Sequence, residues 1–131
     1  MALTKNHPLG EITLDGTIAS AANAVAFVRA PFRGRLIQAG SVLGSATTTN
    51  DATVTVSIAG TAVTGGSFVI TQSGSAAGDQ DFASVDGVGA NATITGANIA
   101  NEGDLIRFAI TGSGATGGGI LYYYATLQKL A

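Results

Sequence analysis

The chain has one histidine, His7, next to Pro8, and no cysteine. Any Ser-His or Cys-His nucleophile would have to rest on that single ring. A solvated residue in an N-terminal arm is the better account of it. Carboxylates offer the other route to chemistry: Asp79, Asp81, Asp86, Glu102 and Asp104 are the residues that would pair as acid and base in glycoside hydrolysis. All five fall at predicted turns, and the chain has no tryptophan to serve as a sugar platform, so turn capping is the preferred assignment. Asp79, Asp81 and the Asp86-Gly87 pair have some likeness to a calcium loop but lack its Glu at the twelfth position. The glycine-rich run 112–119 lacks the Gly-Lys-Ser/Thr ending of a phosphate loop. The expectation is a protein that is not an enzyme and holds no metal and no cofactor.

Two other groups of residues suit contact rather than catalysis. Arg29, Arg33 and Arg35 surround Pro31 and Phe32; guanidinium forks pair with carboxylates across interfaces, and Phe32 would supply an apolar anchor. Tyr122, Tyr123 and Tyr124 are consecutive. In a strand, Tyr122 and Tyr124 point to one side and Tyr123 to the other, so at least one ring must leave the core.

The elements that position these groups read as strands. Nineteen glycines are scattered through the chain, and no window repeats apolar residues at helical spacing for three turns. From Ala52 to Ile58, Ala52, Val54, Val56 and Ile58 alternate with Thr53, Thr55 and Ser57, the mark of a half-buried antiparallel strand. Ala59, Gly60 and Thr61 then suggest a tight hairpin turn. Further strands are expected over 11–14, 24–29, 35–43, 68–71, 82–85, 92–95, 105–111 and 120–127. Asp15-Gly16, Asp86-Gly87 and the run 101–104 read as turns. The segments 45–50, 73–78 and 112–119 read as flexible loops. The fold expected is a single-domain, jelly-roll-like antiparallel β-sandwich of about eight or nine strands over residues 11–131, preceded by an arm over 1–10.

Composition narrows the function. Charged residues make up 11% of the chain, against about 25% in ordinary soluble domains, which implies a surface largely covered by other protein, the alternative being hydration carried by Thr and Ser hydroxyls and by Asn. Aromatics are only 6% of the chain although 46% of it is hydrophobic, so small aliphatic residues must pack closely. A net charge of −2 provides no basic field for phosphates, so no nucleic-acid partner is expected. Lys5, His7 and Glu11 interrupt any signal-peptide core. The uncharged stretch 52–78 is too rich in Thr, Ser and Gly for a membrane helix, so no membrane partner is expected.

The segments Ala-Pro-Phe-Arg-Gly-Arg-Leu (30–36), Thr-Asn-Asp-Ala-Thr-Val-Thr-Val-Ser-Ile-Ala-Gly-Thr-Ala-Val (49–63) and Gly-Asp-Leu-Ile-Arg-Phe (103–108) together resemble tailed-bacteriophage capsid decoration, or cement, proteins. The resemblance implies a jelly-roll-like domain on the outer surface of the virion, made in the host cytoplasm. It implies a homo-oligomer, a dimer or a trimer with the trimer favoured, that bridges subunits of the major capsid protein. Arg29, Phe32, Arg33, Arg35 and Tyr122 to Tyr124 are the candidate interface residues. The alternative is a head-fibre or lectin-like binding module that uses the tyrosines and the glycine-rich loop to recognise a glycan or host surface.

Overall fold

The computed structural model describes residues 10–19, 24–47, 50–111 and 120–130. Its regular elements are ten strands: β1 (Glu11–Ala19), β2 (Val25–Arg29), β3 (Gly34–Leu43), β4 (Ala52–Ile58), β5 (Thr61–Ile70), β6 (Gln80–Ser84), β7 (Ala92–Thr93), β8 (Ile99–Ala100), β9 (Leu105–Thr111) and β10 (Ile120–Lys129). Residues 1–9 of the expected arm, His7 among them, and the glycine-rich loop 112–119 lie outside the described residues.

Eight strands form two layers, ordered β1-β10-β3-β6 and β2-β9-β4-β5. The chain changes layer at nearly every connection, and within each layer all neighbours are antiparallel. These are the two interlocked Greek keys of a jelly roll, as expected. The two-residue strands β7 and β8 extend the first layer, β7 by parallel pairing with β6 and β8 by pairing with β3.

Alternation fills the space between the layers. Val54, Val56 and Ile58 from β4 meet Leu36, Leu127, Phe68, Ile106 and Phe108, all buried. Ala39, Ala83, Ala100 and Ala125 are wholly buried as well, so small residues do let the sheets approach. Between β4 and β5 the chain turns through Ala59 and Gly60, both at positive φ (49° and 86°), a two-residue hairpin of the primed type.

The two flanks of the sandwich differ. Beside β5, the segment 85–100 folds across the opening: Thr64 and Gly96 form a bridge, Thr95 N donates to Thr64 O, and Ile94 is buried in the core. Gly65 makes this possible. Its φ is +78°, and a Cβ there would collide with the Thr93 carbonyl. On the opposite flank β1 and β2 are both edge strands.

Two expectations are corrected. Asp15-Gly16 is not a turn but lies inside β1, paired with Tyr124 and Tyr123. Gly16 is there because the Tyr123 ring lies over it: a Cβ would come within 2.7 Å of Tyr123 Cζ and closer still to the hydroxyl. Asp81 is not at a turn either, but in β6 opposite Ser41. The loops 45–50 and 73–78 are joined where both are described. Buried Thr47 donates its N–H to Ser75 Oγ at 3.0 Å, and the Ser75 hydroxyl lies 3.2 Å from Thr47 O.

Candidate functional site

The antiparallel register sets one row of side chains on the solvent face of the first sheet. On β10, Tyr122 and Tyr124 point outward while Tyr123 is buried against Phe108, the ring centroids 5.0 Å apart. Opposite Tyr124 stand Asp15 on β1 and Gly40 on β3; opposite Tyr122 stand Thr17 and Val42. Gly40 in turn faces Phe82 on β6. A Cβ at Gly40 would lie 2.8 Å from Tyr124 Cζ and 2.6 Å from Phe82 Cβ, so the tyrosine ring is laid across the bare β3 backbone. Gln38 Nε2 donates to Tyr124 Oη at 2.8 Å, fixing the ring at its far end. Tyr122 is 49% exposed. It helps line a cleft of about 430 Å³ with Thr13, Asp15, Thr17, Val42 and Tyr124.

The second sheet exposes a different surface. Along β2, Val25 and Phe27 face solvent at 41% and 52% exposure, and Leu105 on β9 joins them at 49%. Arg107 lies directly opposite Phe27, and Arg29 directly opposite Leu105. Three large apolar side chains and two guanidinium groups thus share one face at the β2 edge of the sandwich.

The arginines expected to act together do not meet. Arg29 stands on the β2–β9 face, Arg35 on the first sheet with its Nη2 3.5 Å from Gln128 Oε1, and Arg33 on the exposed connection between β2 and β3. Phe32 is corrected outright as a surface anchor, since it is only 5% exposed. Its ring packs over Gly34, where a Cβ would lie 3.1 Å from Phe32 Cε1. The connection turns Phe32 inward to close the end of the core.

The carboxylates mostly cap turns. Ala76 N donates to Asp79 Oδ2 (2.9 Å), Val88 N to Asp86 Oδ1 (3.0 Å) and Asn101 N to Asp104 Oδ2 (2.8 Å). The Ser84 hydroxyl also donates to Asp86 Oδ1. These bonds favour the ionised form and hold the Asp86 carboxyl below its ordinary value. Asp81 differs. Burial pushes it upward, with a smaller push from Asp79, against the bond it accepts from Asn91 Nδ2 at 3.1 Å. Among the described residues, no three His, Asp or Glu side chains are grouped closely enough to hold a metal ion.

No family model matches the chain, and no curated protein matches its sequence. Among solved structures it is similar to a carbohydrate-binding module, CBM36, in complex with calcium and xylotriose, at 20% identity and a TM-score of 0.40 over 94% of this chain and 92% of that one.

Sequence reading missed Val25, Phe27, Leu105 and Arg107, although a signal for two of them was present. Val25 to Val28 is apolar on both strand faces, and an edge strand can bury only one. The partners of the tyrosines, Asp15, Gln38, Gly40 and Phe82, come from three other strands and are joined only by register.

Proposed function

We propose that this β-sandwich is a structural virion protein that decorates and stabilises a tailed-phage capsid, attached to major capsid protein subunits as a homo-oligomer. The observation that supports the reading is the β2–β9 face, where Val25, Phe27 and Leu105 are exposed between Arg29 and Arg107 in a chain with few charges to hold it apart from partners. Aromatic and arginine residues with aliphatic neighbours are the usual composition of an interface centre. A cement protein needs no catalytic group. It binds the assembled shell better than free subunits, and binding to that state stabilises it. An oligomer reaching several subunits gains further by effective concentration.

Co-sedimentation with capsids and light scattering of the free chain test this. The expected result is a defined oligomer that saturates the shell, with binding weakened at least about tenfold by Phe27→Glu, since a buried aromatic contributes roughly 1.5–3 kcal/mol. A chain that stays monomeric at high concentration and ignores capsids refutes the reading.

A second reading, recognition of a glycan or host surface, is favoured by the opposite face, where Tyr122 and Tyr124 project from a rigid sheet rather than from a loop.

A further inference from the structure

The solvent face of the first sheet carries more order than a bare β-sheet surface needs. Three independent features hold Tyr124 in one position: Gly40 leaves room for the ring, Phe82 stands beside that space, and Gln38 holds the hydroxyl at 2.8 Å. Tyr122 lies two residues along the same strand, so the two rings follow one another at about 7 Å. Between and beside them are Asp15, Thr13 and Thr17 on β1 and Val42 on β3. The cleft they line, about 430 Å³, lies within the range of roughly 300–1,000 Å³ common for small-ligand sites.

We infer that this cleft is a binding site for a neutral pyranose oligosaccharide, which narrows the second reading above to one ligand class and rests on that reading. Partly exposed aromatic rings suit the C–H face of a sugar ring, and Tyr124, held by Gln38 over Gly40, offers that apolar contact at little cost in conformational freedom. Two rings in line on one strand suit two successive sugars. Hydroxyl groups set across a sugar's edge require acceptors and two-way partners, and the Asp15 carboxylate and the hydroxyls of Thr13 and Thr17 supply them along the β1 side. The same carboxylate sets the class. It accepts hydrogen bonds from sugar hydroxyls but repels a uronic or sialic acid, and none of the described residues lining the cleft is a cation.

The test is titration of the full chain with neutral gluco-, xylo-, manno- and galacto-oligosaccharides of three to six units, beside sialylated and uronic-acid oligosaccharides. Tyr122→Ala and Asp15→Asn are compared with the parent, and circular dichroism confirms that each variant is folded. The expected result is binding of at least one neutral series, weakened about tenfold or more by Tyr122→Ala, as loss of one stacked ring predicts. Asp15→Asn is expected to weaken neutral binding and to leave acidic sugars bound no worse than before. Binding of acidic sugars alone overturns the inference and leaves glycan recognition standing. Neutral binding untouched by Tyr122→Ala overturns the cleft as its site. Failure of every sugar, together with host-cell adsorption that is insensitive to Tyr122→Ala, overturns both the inference and the second reading.

Discussion

Replacing Gly16 by alanine decides whether Asp15-Gly16 is strand or turn. In β1 the substitution has two opposed effects. Alanine relieves the conformational freedom that glycine brings to a strand interior, a gain of about 0.5–1 kcal/mol. Against this, its methyl group would lie 2.7 Å from Tyr123 Cζ, well inside contact distance. Tyr123 cannot swing away freely, because it is buried against Phe108 at 5.0 Å between centroids, and overpacking of this kind costs roughly 1–3 kcal/mol. The net expectation is a loss of about 0.5–2 kcal/mol, read as a lower urea midpoint with an unchanged slope. The interaction itself is isolated by a double-mutant cycle with Tyr123→Leu, which removes the ring atoms that meet the new methyl. In that background Gly16→Ala should become neutral or stabilising, a coupling of about 1–3 kcal/mol. If Gly16→Ala costs the same with or without the tyrosine ring, Gly16 is needed for its backbone conformation alone and the register of β1 on β10 is wrong.

Two further outcomes follow from single residues. Ala59 holds φ 49° in the hairpin between β4 and β5, where a primed turn favours asparagine before glycine; Ala59→Asn should stabilise by about 0.5–1 kcal/mol, and a fall in thermal midpoint refutes the turn assignment. Asp81 titrates above its ordinary value of 3.8 because it is partly buried, so between that value and the raised one the folded state binds more protons than the unfolded chain, and stability falls as pH rises through the window. Asp81→Asn should therefore be more stable than the parent at pH 7, with the difference closing below pH 3.8 in paired urea titrations. A variant less stable at pH 7 means that the bond from Asn91 outweighs burial.

The jelly roll was legible because its evidence is local. Alternation in Ala52 to Ile58 and turn chemistry at 59–60, 86–87 and 101–104 cut the chain into short strands, and that many strands in one domain leave few arrangements. Asp15-Gly16 misled because the same dipeptide serves two purposes: in a turn the glycine supplies positive φ, whereas in β1 it supplies the missing Cβ beneath Tyr123. Only the partner strand, more than a hundred residues away, distinguishes the two. Phe32 failed for a related reason. Its neighbours Arg33 and Arg35 are exposed, and nothing in the sequence says that the connection rolls the ring over Gly34. The tyrosines were placed correctly to the extent that period two allows, one side against the other. Which side is the core depends on Leu121, Ala125 and Leu127, which share the inward face with Tyr123. The strand β8 escaped notice because two residues carry no periodicity.

The topology also bears on how the two proposed contacts combine. Strands β2 and β9 belong to one layer and β1, β10 and β3 to the other, so Phe27 and Tyr122 face away from each other across a sandwich whose sheets pack about 10 Å apart. A protein held to a shell through the β2–β9 face would present the Tyr122–Tyr124 cleft to the outside, and occupancy of either face leaves the other free. The closure of the β5 flank by Ile94 and the Thr64–Gly96 bridge fits this arrangement. It covers the side of the sandwich that neither face uses, while β2, which carries Val25 and Phe27, stands at the edge of its sheet among the described residues.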